Sequence, residues 1–577
     1  MKRVWVAAVA LLLLLTTAMV ASAQNVSQGT LRSGGTVFLQ APSSVPAAPT
    51  TSTSPQVADR EPELIRLMHG SAQAPAVNTY VEIPRTFSNA RVVSGGTALT
   101  FNGIDAVDSA TQNGFDVVPP DQGLCAGNGQ ILELVNLALN VYSESGSEIV
   151  GPLPLSDLFG TGSDFISDPR CYYDQATNIW FSTVTDLNDS CLGGFESSIR
   201  ISVSNNGDLS QGFLEYALPT GDDGSFGTPI DPGCGLAGVP CFGDQPLIGA
   251  NTDGFYISTN EFSEFFPFFN GAQIYALSKA GLELGTATFQ HLNNLTVAGE
   301  TAASVSPASS PGPNVEPNGG TEFFMSSLNF NGTSANHIAL WAMTNTSSLN
   351  TLTPDVSLEN KILRVKAYEE PGAASQEVGP IPLGAFFQDP EGTLSPDDNR
   401  MQQVVFTGEH LYSAITTTIF DGTEFVDGIE TFVLEPGFNE NGKLKAELDG
   451  NRYVTVKGQN LIYPAIGVTA NDEGVMTFTL TGPNFFPTAA FIRIDDDGAF
   501  GPVHVAAAGG APEDDFSDYA RTPSDIVFTG RWGDYSAAVA DGNTNIFIAT
   551  EYVSNVRRDF ASNWATSISQ VTVPDPD

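Results

Sequence analysis

One unit recurs along this chain: a polar or charged lead-in, a strand of small residues, a tight Asx/Gly turn and an aromatic-rich strand. It is plainest from Asp244 to Asn260 (DQPLIGANTDGFYISTN) and from Asp534 to Thr550 (DYSAAVADGNTNIFIAT). Further copies begin at Asp121, Asp168, Arg400 and Tyr463. The gap from 244 to 400 is twice an ordinary step, which predicts one more copy between them. Thr321–Phe330 followed by His337–Ala342 supplies it. The mean step between lead-ins is about 69 residues, room for four ordinary strands and their loops. The expected fold class is therefore all-β: a β-propeller, whose radial sheets leave only short edges. Seven blades fit the spacing best, with six or eight left open because the fourth copy is weak. A sandwich array or a β-helix is the competing all-β arrangement.

The repeat also resolves a difficulty of size. A chain of 577 residues exceeds what one hydrophobic core serves, unless that core is itself repeated. No segment carries a sustained helical apolar stripe, and the 57 glycines and 37 prolines mark many turns between short strands. The charge is lopsided, −42 with only 15% charged residues, so cations are scarce rather than acids dense. That balance excludes phosphate-backbone binding, which needs clustered Lys and Arg, and disfavours anionic membranes.

Three segments are expected. Residues 1–23 read as a secretory signal: Lys2 and Arg3, an apolar run from Val4 to Val20, and Ala21-Ser22-Ala23 before a cut at Gln24. Residues 24–96 read as a flexible Pro/Ser/Thr-rich segment, and 97–577 as the propeller. No later stretch is long and apolar enough to span a bilayer. The expected product is a secreted, extracellular monomer. Of the five cysteines, Cys234 and Cys241 bracket a short Gly/Pro loop and are the first expected disulfide. Cys125 and Cys171 occupy nearly equivalent places in successive repeats and are the second, leaving Cys191 over.

The stretches PPDQGLCAGNGQILELVN (119–136), GDQPLIGANTDGFYISTNEFS (243–263), NRMQQVVFTGEHLYSAI (399–415), YPAIGVTANDEGVMTFTLTG (463–482) and RWGDYSAAVADGNTNIFIATEY (531–552) resemble a family of large secreted microbial proteins. The resemblance spans roughly 98–572 and implies a propeller fold and an exported location. That family has no assigned activity, so it transfers no catalytic residue.

In a propeller the lead-ins ring one end of the central channel, and chemistry is sought there. The candidate carboxylates are Asp121, Asp168, Asp244, Glu261, Asp534 and Glu551; Asn136, Asp186 and Asn260 end second strands at the same face. Arg170, Arg400, Tyr463, Arg531 and Tyr535 form the candidate ligand-binding ring. One reading is structural, with Asp capping turns and Arg–Asp pairs tying blades together. A second is binding of Ca²⁺ by converging oxygens, or of a glycan or protein partner. A third, from another class, is a secreted glycoside hydrolase with a carboxylate-lined funnel. Three arginines with Tyr and Glu loosely resemble a sialidase set, but S-x-D-x-G-x-T-W boxes are absent. Asp495-Asp-Asp-Gly498 lacks calcium-loop spacing and reads as a hairpin turn.

Overall fold

The computed structural model describes residues 25–39, 56–58, 83–86, 88–190, 194–224, 227–231, 240–263, 268–312, 320–328, 334–495, 498–519, 529–542, 544–555 and 562–573. Within them, four-stranded antiparallel units follow one another along the chain, each strand beside the next in sequence. Units 1 to 6 span 123–154, 166–219, 241–293, 306–369, 404–454 and 460–507. Unit 7 takes three strands from 537–572 and its outer strand, Leu99–Asp105, from the other end of the chain. The innermost strands contact one another in cyclic order, and the last touches the first. The chain is a β-propeller, and strand 99–105 fastens its two ends together.

Each sheet is buried on both faces, which is why its strands are apolar without strict alternation. Every residue of Gly254–Ser263 and of Gly474–Gly482 is buried. The hydrophobic clusters lie between units rather than within them. Tyr172, Phe181 and Ile201 of unit 2 pack against Phe255, Tyr275 and Phe289 of unit 3. Tyr256 and Ile274 meet Phe324 and Trp341 across the next interface. Leu124 and Ile131 of unit 1 meet Phe547 and Ile568 of unit 7, closing the circle. Each such large side chain contributes about 1.5–3 kcal/mol relative to exposure.

The fourth copy starts earlier than expected. Its inner strand is Ser306–Ser309, and Thr321–Ser327 is the second strand. A four-residue inner strand with no Asp lead-in offers little pattern to read.

The segment expected to be flexible is in part built into the fold. Asn25–Thr30 adds a fifth strand to unit 3 by pairing with Thr288–Asn293, and Arg32–Val37 does the same for unit 2 on Phe213–Pro219. Val92–Ser94 extends unit 6. The outer edge of a blade presents unpaired N–H and C=O groups that a neighbouring extended chain satisfies. Such a strand needs no apolar period of its own; Arg32–Val37 is mostly exposed. Residues 1–24 and 40–55, which carry the expected signal segment and most of the Pro/Ser/Thr-rich stretch, lie outside the described residues. No helix among the described residues is long and apolar enough to cross a membrane.

Cys125 and Cys171 are bonded, joining the inner strands of units 1 and 2 across a sequence separation of 46. Cys241 is disulfide-bonded as well, while Cys234 and Cys191 lie outside the described residues. Asp496 and Asp497, the centre of the expected hairpin turn, lie outside the described residues; beside them Gly498 N–H donates to the Asp495 carbonyl at 2.8 Å.

Candidate functional site

The lead-ins turn sharply into the inner strands. Asp121, Asp168, Gln245, Ser304 and Tyr463 all have left-handed backbone, with φ of 47°, 58°, 51°, 46° and 56°. In units 2, 3 and 6 the ladder breaks register at this point. The turn frees a backbone N–H, and a side chain of another unit accepts it. Asp168 N–H donates to Asn136 Oδ1 at 3.0 Å, Gln245 N–H to Asp168 Oδ2 at 3.2 Å, and Ser304 N–H to Asn260 Oδ1 at 2.8 Å. Tyr463 N–H donates to Thr416 Oγ1 at 3.2 Å. Asp534 N–H reaches Asp121 Oδ1 at 2.9 Å, and Asn136 Nδ2 donates to Asp121 Oδ2 at 2.6 Å. One relay thus runs from unit 7 through units 1 and 2 to unit 3. Each bond is buried, where losing a partner costs about 1–3 kcal/mol.

The arginines are clamped. Arg531 bonds both oxygens of Asp534 at 3.0 and 3.1 Å and lies 3.7 Å from Asp397. Arg400 forks onto Asp398 at 2.8 and 3.0 Å and donates to Gln245. Arg170 lies 3.4 Å from the centre of the Tyr535 ring and donates to Gln402 at 3.1 Å. Gln245 donates to the same Gln402 oxygen at 3.3 Å. Units 2 and 5 stand on opposite sides of the ring, so Arg400–Gln245–Gln402–Arg170–Tyr535 is a brace across the axis. Burial raises the carboxyl of Glu370 to about 9, with Asp398 adding and Arg400 opposing. Two long connections, 370–403 and 508–536, bind each other beside the ring. Thr393–Leu394 pairs with Thr529–Gly530, and Glu513 N–H donates to Gln376 at 2.7 Å. This end of the propeller is braced and covered.

The candidate residues therefore divide. Asp121, Asp168, Asp534, Arg400, Arg531, Tyr463 and Tyr535 do come together at one end and are buried. Glu551 joins them, accepting from Gly533 N–H at 2.5 Å, and burial raises its carboxyl well above the usual range. Asp244 sits opposite Asn260 in the ladder and is buried. Asp186 leaves the ring for Arg200 on the adjacent strand, at 2.6 Å. Glu261 also leaves it, to lie beside Asp222 and Asp231. Arg170 alone of the named candidates lines the channel cavity.

That cavity is open to solvent and has a volume of about 100 Å³, and residues of every unit line it. Gln122, Arg170 and Gln402 are nearest the brace; Gln175, Gln403, Ser309, Ser310 and Ser536 add amides and hydroxyls. No Asp or Glu is among the lining residues. Gln122 is fully buried, and neither atom of its amide has a hydrogen-bond partner. An uncharged amide within an apolar strand carries no pattern in the sequence; that Gln122 follows a lead-in by one residue and Gln402 by two was the only available sign.

No family model and no curated protein sequence matches the chain. Solved structures with a similar course of chain include the Penicillium chrysogenum α-L-arabinanase complexed with arabinobiose. It is 9% identical, with 82% of this chain and 99% of that chain covered and a TM-score of 0.33. An α-L-arabinofuranosidase from Fusarium graminearum is 8% identical over 82% and 98%, TM-score 0.32. The Trypanosoma rangeli sialidase is 8% identical over 75% and 57%, TM-score 0.30. At these values nothing about activity is carried across.

Proposed function

We propose that the protein is an extracellular binding module that takes a neutral, polyhydroxylated ligand, a glycan chain end, into the channel without cleaving it. The observation that carries this reading is the lining: four glutamine amides, serine hydroxyls and one guanidinium set among small and apolar side chains, with no carboxylate among the described lining residues. Planar amides offer donor and acceptor side by side, which suits vicinal hydroxyls, and the Gln122 amide is buried with both functions unspent. Retaining or inverting hydrolysis needs two carboxyl groups about 5–9.5 Å apart facing one substrate. The carboxylates assembled here are instead committed to N–H groups and arginines.

The test is a glycan array followed by calorimetry on the purified protein and on Gln122→Leu. Binding weakened at least tenfold by Gln122→Leu, with no reducing ends released from arabinan, galactan or sialosides, supports the reading. Reducing-end release that disappears in Asp534→Asn would replace it with the hydrolytic one. Absence of any glycan binding would overturn both.

A further inference from the structure

Away from the channel, unit 3 holds a second acidic cluster. Asp222 and Asp231 face each other at the base of a hairpin, where Asp231 N–H donates to the Asp222 carbonyl at 2.9 Å. Glu261 comes from the second strand of the unit. One oxygen from each of the three lies within 4.8 Å of the others, and all three residues are buried. Oxygens on opposite sides of a calcium ion, at about 2.4 Å each, are separated by about that span.

Carboxylates alone do not make a site; their surroundings do. Both oxygens of Asp222 and Oε1 of Glu261 are buried; these two carboxyls meet each other, and no N–H or hydroxyl of another described residue donates to them. Neither residue forms an ion pair with a lysine or arginine among the described residues. Two neutral side chains close on the cluster with functions unspent. Asn293, 2% exposed, donates to Asp231 at 3.3 Å and leaves its own Oδ1 unpartnered. His291, 1% exposed, points an unpartnered Nδ1 at Asp222 from 3.7 Å. Its other nitrogen meets Gln273 at 3.1 Å, and burial lowers its pKa to about 3, so it brings no positive charge at neutral pH. The second oxygen of Glu261 is held by Asn270 and Gln273 at 2.5 and 2.7 Å, which aims the first.

We propose that Asp222, Asp231 and Glu261, with the Asn293 carbonyl oxygen, bind one calcium ion. Three hard anionic oxygens plus an amide oxygen suit Ca²⁺, whereas Zn²⁺ favours nitrogen and sulfur and Mg²⁺ a smaller octahedral cage. Asn293 lies on strand 288–293, whose free edge carries Asn25–Thr30. The ion therefore ties the hairpin, the body of unit 3 and the N-terminal strand together.

The test uses the full chain stripped with EDTA and then supplied with calcium, magnesium or zinc at neutral pH. Calcium should raise the melting temperature and slow hydrogen exchange in 25–30 and 288–293, magnesium and zinc much less. Asp222→Asn and Glu261→Gln should each lower the bound stoichiometry by one calcium, while Asp472→Asn, in the partly exposed group with Glu409 and His410, leaves it unchanged. Because a core variant can fail to fold, terbium luminescence is read on the wild type. Tyr275, whose ring stacks on His291 at 4.5 Å, should sensitise it, and Tyr275→Phe should dim it while keeping calcium affinity. Equal stoichiometry in wild type, Asp222→Asn and Glu261→Gln, no calcium bound at millimolar concentration, or zinc displacing calcium would overturn the proposal.

Discussion

Two buried acidic groups in this propeller are built from the same residue types and behave in opposite ways. At the braced end, Asp534 and Asp398 face Arg531 and Arg400, and Asp121 and Asp168 accept backbone N–H groups. In unit 3, Asp222, Asp231 and Glu261 face one another, an amide and a neutral imidazole. The first group has its compensation inside the chain; in the second, Asp222 and one oxygen of Glu261 lack it. Burial of a carboxylate thus says little about its role until its partners are named.

Breaking the first group should cost the most. Arg531→Met leaves Asp534 and Asp397 buried without their cation and should lose about 3–5 kcal/mol in denaturant melts. A loss under about 1 kcal/mol would mean that the ring is not the clasp described. The same kind of change should act with opposite sign in unit 3. Glu261→Gln removes repulsion from Asp222, the neighbour that joins burial in raising its carboxyl. In EDTA it should melt above the wild type, and in calcium below it.

Asn136→Ala tests the relay between units 1 and 2, and about 1–3 kcal/mol should be lost because the Pro119 carbonyl, Asp121 Oδ2 and the Asp168 N–H each lose a buried bond. Glu215 offers a third kind of burial, one held by a proton. Its carboxyl is raised from 4.5 to about 8 by burial, with Ser202 opposing at 2.8 Å. A raised carboxyl binds its proton more tightly in the native state, so its contribution is full at low pH and is lost as pH rises from about 4.5 towards 8. Glu215→Gln should flatten that fall, by at most about 1.4 kcal/mol per pH unit. An unchanged pH–stability slope in the variant would remove Glu215 from the account. The smallest effect on stability is expected for Gln122→Leu, because the Gln122 amide makes no hydrogen bond to lose.

What could be read beforehand follows from this contrast. Repeat spacing located the inner strands of six units among the described residues, because an Asx/Gly turn between a small-residue strand and an aromatic strand is a local pattern. Unit 4 was entered one strand late, since Ser304 replaces the usual Asp and its inner strand is only four residues. The lead-in ring was legible because charged residues stand out among apolar strands. Its partners were not: Gln245 and Gln402 are 157 residues apart, and Asp222 lies 39 residues before Glu261 in no motif. The N-terminal strands were missed for a related reason, since an edge strand borrows its hydrogen bonds and carries little pattern of its own.

The sequence by itself determined an all-β repeat and the positions of most lead-ins, and it set Cys125 and Cys171 at nearly equivalent points of successive repeats, because these depend on period and local turn chemistry. Only the tertiary structure decided which carboxylates meet arginines, which meet one another, and which amides reach the channel. Those outcomes depend on closing the ring, which brings units distant in sequence to within a hydrogen bond of each other, and no period along the chain records that closure.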